Sequence, residues 1–280
     1  YQASLAAIVA LADQNCSVIL DRLCHASLLD GAALSDARKR YFKHNDVTDL
    51  GALIRKEDRR CLIVVESLYS MDGDTAWLTE ISDLAAATGS LLLVDEAHAT
   101  GVLGPTGRGA LEEFSTGGKL AEHIVALGTL SKALGAQGGY VCGPRWVIDT
   151  ILHAGRAYMF STALAPAAVG AAREALRIAA RETERRIGLL QRAQTLRRKL
   201  AELNFKSIDG TGPIIPVITG DETRATSWSQ NLLEAGLLVP GIRYPTVKKG
   251  EARLRISLSA AHTDADIQRL IEALAKLRQV

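Results

Sequence analysis

Five short runs of this chain are apolar without alternation: SVILD (17–21), CLIVVES (61–67), SLLLVDE (90–96), HIVALGT (123–129) and GGYVCG (138–143). A strand with one face in water alternates apolar and polar residues, whereas a strand covered on both faces does not. These runs therefore predict strands of a parallel sheet held between helices. The connecting segments carry the helical period instead. Residues 48–56 and 78–88 show it, the second stopping at Gly89, where the left-handed conformation that ends many helices costs glycine little. YQASLAAIVALAD opens the chain in the same helical pattern.

From 167 to 204 apolar residues recur at helical spacing behind Pro166, which predicts a long amphipathic helix with a break at Gly188. Strand PIIPVIT, a helix over 223–235, strand ARLRISLS and a helix over 264–278 follow as a compact α+β unit. The chain thus reads as α/β. A large domain over 1–165 has a mostly parallel sheet between helices, and residues 166–280 form a linking helix and a smaller α+β domain.

Composition narrows the classes. The formal net charge of the 280 residues is +2, and the basic residues are scattered or lie in the helical run Arg192, Arg197, Arg198 and Lys199, so no nucleic-acid footprint appears. No apolar run approaches the length of a membrane span. Cys16, Cys24, Cys61 and Cys142 form no CxxC pair, so no metal is expected, and cysteines inside apolar runs read as core filler in a reducing compartment, the cytoplasm. The chain opens on Tyr1 inside a helical pattern, and a missing N-terminal part is expected.

Polar residues fall after the predicted strands, where an open parallel sheet binds its ligand: Glu66 and Ser70, then Asp95 and His98, then Thr129, Ser131 and Lys132. The letters DEAH at 95–98 suggest a nucleotide hydrolase, but that chemistry needs a glycine-rich loop ending in GK[ST]. GPTGRGA and TGGKLAE, the nearest candidates, do not fit. A different chemistry fits the set. In GTLSKALGAQGG, Lys132 has small or apolar neighbours and hydroxyls at Thr129 and Ser131. A desolvated lysine there would be a nucleophile toward a carbonyl, with the hydroxyls and a helix start available to a phosphate. An aldehyde cofactor with a pyridine ring would also need a carboxylate for the ring nitrogen, and Asp95 suits that job. Taken singly, each residue has a plainer reading: Lys132 pointing to solvent, Asp95 capping a helix, His98 a satisfied core histidine.

DRLCHASLLDGA, HNDVTDL, VVESLYSMDGD, LLLVDEAHATGVLGPTGRG, GTLSKALGAQGG, STALAPA and YPTVKKGEARLRISLSAAHT together resemble the α-oxoamine synthases, pyridoxal-phosphate enzymes of fold type I, from Tyr1 to the C-terminal helix. The resemblance implies Lys132 as the Schiff-base lysine, Asp95 as partner of the ring nitrogen and His98 as donor to the phenolic oxygen. It implies His25 stacked on the ring, Ser70 in a further polar contact, Thr129 on the phosphate and the Tyr1 amide beside it. Ser161 and Thr162 would reach the phosphate of a neighbouring subunit, implying a homodimer with shared sites, though on their own they read as a helix cap before Pro166. Arg255 would grip the substrate carboxylate and Thr246 would touch substrate or cofactor. His25 read alone is an ordinary buried histidine and Arg255 an exposed strand residue; Glu66 has no assignment. The implied partners are an L-amino acid, alanine favoured, and an acyl-CoA or acyl-carrier protein. Another acyl-CoA:amino-acid condensing enzyme of the family or a plain transaminase of the same fold, and an inactive fragment or non-catalytic dimer partner, are the competing readings. Roughly a hundred residues of the family pattern are expected before Tyr1.

Overall fold

The computed structural model describes residues 1–278, so the last two positions of the domain expected over 166–280 lie outside the described residues. Contacts divide the chain into two compact units, Tyr1–Tyr69 with Thr75–Arg181, and Ser70–Asp74 with the chain from Glu182 on.

The first unit begins with α1 (Gln2–Leu11), β1 (Cys16–Asp21), α2 (Ala26–Leu34), β2 (Arg38–Phe42), α3 (Val47–Ile54), β3 (Arg60–Glu66), α4 (Leu78–Thr88) and β4 (Leu91–Asp95). A small hairpin of β5 (Ser115–Thr116) and β6 (Lys119–Leu120) precedes β7 (Ile124–Thr129) and β8 (Gly139–Cys142); α5 (Arg145–Ala154), α6 (Arg156–Met159) and α7 (Pro166–Arg181) complete it. Six strands form one sheet in the order β2-β1-β3-β4-β7-β8. The first five run parallel. Their apolar runs are explained by burial on both faces. Val18, Leu20, Leu62, Val64, Leu93 and Val125 pack with α1, α2 and α5, while Ile19, Ile63, Val65, Leu92 and Val94 pack with α3 and α4. Gly89 ends α4 at φ 63°, the predicted left-handed stop.

Three details depart from the sequence reading. β8 pairs antiparallel with β7, because residues 130–138 are too short a connection for a parallel crossover. RKRYF, which has no apolar run, forms β2; at the sheet edge a strand tolerates charged residues. The long helix breaks at Glu182 (φ −104°, ψ 63°), where α8 (Thr183–Glu202) begins, and not at Gly188. Glycine inside a helix costs about 1 kcal/mol, too little to end it by itself, and Gly188 stays helical.

The second unit continues from α8 with β9 (Ile214–Gly220), α9 (Glu222–Glu234), β10 (Gly241–Ile242), β11 (Ala252–Ser257) and α10 (Asp264–Leu277). An antiparallel sheet, β10-β11-β9, packs Ile215, Val217, Leu254 and Ile256 against Leu196, Leu200, Leu232, Leu270 and Leu274 of the helices. A capping box of Thr263 and Asp266 starts α10. Among the described residues no helix is long and apolar enough to cross a membrane.

Candidate active site

Parallel strands end together, so the last residues of β1, β3, β4 and β7 share one edge: Asp21, Glu66, Asp95 and Thr129. Glu66 and Asp95 are register partners on adjacent strands, and both are buried. The Asp95 Oδ1 accepts the Ala97 N–H at 2.8 Å. Burial raises the Asp95 carboxyl above its usual range, with the Ala97 hydrogen bond and the charges of Lys132 and His25 pulling the other way. Residues 97–102 are turn rather than helix, so Asp95 caps no helix, and His98 sits half-buried in that turn.

Lys132 acts electrostatically on His25, Glu66 and Asp95 alike, so the loop after β7 brings its ammonium near all three. The side chain is nevertheless exposed in the single chain, contrary to the desolvated lysine expected from its neighbours. Hydrogen bonds from Gly135 N to Lys132 O and from Ala136 N to Leu130 O close a tight turn that buries Leu134 and leaves 131–133 outside.

His25 is not the buried histidine of the plainer reading. It is the N-cap of α2, its Nδ1 accepting the Ser27 N–H at 3.2 Å and lying 2.9 Å from Ser27 Oγ. Its own amide donates to Glu66 Oε1 at 2.5 Å. Partial burial, then the Lys132 charge, lowers the imidazole below its ordinary value.

The start of α1 adds an electropositive corner. Tyr1 is its N-cap and supplies no capping side chain, leaving the first N–H groups without helical acceptors. A Cβ on Gly139 would meet Ala3 Cβ at 2.9 Å, and Gly139 is the register partner of Thr129. Thr129 Oγ1 lies 2.8 Å from Ser131 Oγ. Gln2 Nε2 donates to Ser161 Oγ at 3.2 Å, and that hydroxyl donates to Ala157 O at 2.7 Å, so Ser161 is tied back to α6 rather than capping α7. Thr162 is exposed beside it.

In the second unit Arg255 Nε donates to Ser70 O at 2.6 Å and Nη1 to Ser257 Oγ at 2.8 Å. Arg255 is half-buried, not an exposed strand residue, and burial lowers its pKa. The neighbouring Arg253 pairs with Asp72 at 2.5 Å and fixes the same short segment. Thr246 is exposed, its N–H bonded to Arg243 O.

Two acids gain roles that sequence spacing did not reveal. Glu66 holds the His25 amide. Glu96 is buried, accepts the Leu111 N–H at 3.3 Å and lies so close to Gly109 that any Cβ there would collide with its carboxylate. Burial pushes it up to about 7. Glu96 thereby ties the loop after β4 to the strand end, a job signalled only by the glycine in GRGA.

A family model described as aminotransferase class I and II matches residues 1–274. An 8-amino-7-oxononanoate synthase of Symbiobacterium thermophilum is 41% identical over 273 residues, covering 96% of this chain and 69% of that protein. The solved serine palmitoyltransferase of S. paucimobilis with bound PLP–myriocin superposes at a TM-score of 0.93 with 34% identity, over 100% of this chain and 70% of that one. The solved 8-amino-7-oxononanoate synthase of Francisella tularensis gives a TM-score of 0.85 at 28% identity, over 99% of this chain and 80% of that one.

Proposed function

This chain belongs to the class I and II aminotransferase family and, within it, to the α-oxoamine synthases, and on that premise we propose that it is a pyridoxal-phosphate-dependent acyltransferase. Its reaction is the decarboxylative condensation of L-alanine with pimeloyl-CoA, or the pimeloyl-carrier protein, to 8-amino-7-oxononanoate, a step of biotin biosynthesis. The observation that carries this reading is the strand-end cluster: a buried Asp95 beside Glu66, with the Lys132 charge acting on both and on His25.

The residues present fit the cofactor. Asp95 is a buried acid whose Oδ1 takes one backbone N–H and whose carboxyl burial raises despite the Lys132 and His25 charges; a protonated ring nitrogen would be a fitting partner for it. The uncapped start of α1, with Thr129 close by, suits a phosphate. Lys132 would hold the aldehyde carbon, His25 the ring face and His98 the phenolic oxygen. Bound there, the group supplies an electron sink for a carbanion at the amino-acid α-carbon.

The protein's own groups do the rest. Asp95 would hold a proton on the ring nitrogen. Lys132 would serve as the general base for the amino-acid α-proton. Arg255 offers the guanidinium for the substrate carboxylate, Nε and Nη1 already fixed by Ser70 and Ser257, with Ser70 and Thr246 as further polar contacts. His98 would be the proton donor at the thioester carbonyl oxygen. A homodimer is part of the proposal: the exposed Tyr158, Met159, Phe160, Leu164 and Val169 surround Ser161 and Thr162 and offer an apolar face to a second copy. The four free cysteines support a reducing, cytoplasmic setting.

Incubation with pyridoxal phosphate, borohydride reduction and peptide mapping is expected to find the adduct on Lys132, and no adduct, or one on another lysine, overturns the cofactor reading. CoA release with L-alanine and pimeloyl-CoA checks the substrates. The likeness to serine palmitoyltransferase favours one competing pair, L-serine and a long-chain acyl-CoA, and faster CoA release with that pair would replace the proposed substrates.

A further inference from the structure

Glu66 is nowhere used in the chemistry above, yet it is among the most constrained acids in the chain. It is 2% exposed at the end of β3. It lies in register beside Asp95, and its Oε1 takes the backbone N–H of His25 at 2.5 Å. That amide belongs to the residue that caps α2 and presents the imidazole to the site. We propose that Glu66 is a positioning residue: as a neutral acid it anchors the His25 backbone while leaving the single negative charge of the strand-end pair on Asp95.

Two carboxylates on adjacent strand ends in a dry environment do not both ionise readily, because each negative charge opposes the other. Asp95 has access to the Ala97 N–H and to the Lys132 and His25 charges, which favour its ionised form. Glu66 is the one driven the other way. Burial, then the Asp95 charge, pushes its carboxyl up to about 8, against the pull of the His25 N–H and Lys132. The other titratable groups facing it are Asp21 at the end of β1, the Cys24 thiol and the Tyr69 phenol, all acidic types that also disfavour a further negative charge. A neutral carboxylic acid still accepts a hydrogen bond through its carbonyl oxygen, so anchoring His25 does not require Glu66 to be charged. Glutamine reproduces that form closely, with the amide oxygen for the His25 N–H and the amide NH2 for the acid O–H.

The consequence for stability has a definite sign. The folded-state pKa is raised, so the stability associated with this group is intact below about 4.5 and is lost as the pH rises toward about 8. Glu66→Gln removes that loss.

The inference rests on the cofactor reading only where it concerns pyridoxal phosphate, so two measurements separate them. Thermal scans of the cofactor-free protein between pH 5 and 8.5 are expected to give E66Q a higher melting temperature than the wild type, by roughly 5 °C at pH 8. The two should converge toward pH 5. Titration with pyridoxal phosphate at pH 7, followed by absorbance, is expected to leave E66Q within about threefold of the wild type and to weaken E66A about tenfold, since only alanine orphans the His25 amide. Melting temperatures that differ by the same amount at every pH, or E66Q and E66A losing affinity alike, or E66A binding as tightly as the wild type, overturn the proposal. If E66A does not fold, the E66Q comparison decides alone. A wild-type protein that takes up no cofactor sinks the cofactor reading, and the pH-dependent melting then still judges the neutral-acid anchor.

Discussion

The large sheet carries buried carboxyl groups at both ends, and the two ends treat them in opposite ways. Near the starts of β1 and β2, Glu57 is walled in, its side chain 1% exposed, and receives Ser17 Oγ at 2.5 Å, Arg40 Nε at 3.1 Å and Arg38 Nη1 at 3.4 Å. Burial alone would raise its pKa; the Ser17 hydrogen bond and the two guanidiniums hold it below the ordinary value. At the far end Asp21, Glu66 and Asp95 gather, and burial drives Glu66 and Asp95 upward. One end neutralises its acid within the chain, which stabilises the fold. At the other, His44 pairs with Asp21, but burial outweighs the Lys132 charge at Glu66 and Asp95, which is unfavourable and which a cationic ligand at the proposed site would relieve. Local discomfort of that kind marks a working site more often than a structural one.

The sharpest break in this contrast is Lys132→Ala. Loss of the proposed general base and cofactor anchor is expected to cut turnover by at least ~10³-fold in a CoA-release assay. The melting temperature should shift little, because an exposed lysine contributes little to the core. Turnover within tenfold of the wild type would move the base elsewhere.

Asp95→Asn should cut the two properties in opposite directions. Turnover falls on the order of 10²-fold, the usual cost of removing one fixed electrostatic partner of the reacting system. The cofactor-free protein gains stability at pH 7. The sign follows from the raised pKa: stability present below about 3.8 is lost as the pH rises, and asparagine avoids that loss. Thermal scans at pH 4 and 7 check it, and a variant that melts lower than the wild type at pH 7 would remove the claimed crowding.

Much of the contrast could be read in advance, for reasons tied to particular residues. Runs such as CLIVVE announce β3 because every position is buried, and alternation disappears only when both faces are covered. β2 is silent because edge residues like Arg38 and Lys39 need no apolar character. Asp95 and Lys132 stood out through the order of motifs and the family pattern, but the exposure of Lys132 depends on the turn closed by Gly135 and Ala136, which no neighbour's hydropathy encodes. Glu66 stood among the polar strand-end residues without an assignment, because its meaning lies in register with Asp95 and in the His25 amide 41 positions away. Pairings across a sheet are set by topology, and a single sequence shows them only where a motif already names both partners.

At the neutralised end, Glu57→Gln keeps the shape and removes the charge. It is expected to cost about 2 kcal/mol at pH 7, the typical net worth of a hydrogen bond to a charged group, with catalytic turnover unchanged. Because the folded-state pKa is lowered, that stability exists above about 4.5 and is lost as the pH falls, so the gap between variant and wild type should close in acid. This is the mirror image of the Glu66 behaviour, and denaturant melts at pH 4 and 7 test it. A gap that persists at pH 4 would mean the cluster acts through packing.

Arg38→Ala asks whether that end is one network or a set of separate pairs, and it carries the smallest expected effect. The Arg38 side chain is 44% exposed and its contact with Glu57 is 3.4 Å, longer than that of Arg40. An exposed ion pair of this geometry is worth about 0.5 kcal/mol or less, and with Ser17 and Arg40 still bound to Glu57 no buried group is orphaned. Salt sharpens the test: near 1 M the screening length falls to about 3 Å, so the difference between variant and wild type in urea melts should shrink toward zero there. A loss as large as that of Glu57→Gln, unchanged by salt, would instead make both arginines parts of a single buried unit. The Glu57 charge would then be held by the whole cluster, against the disfavoured charges of the site end, and the contrast would widen.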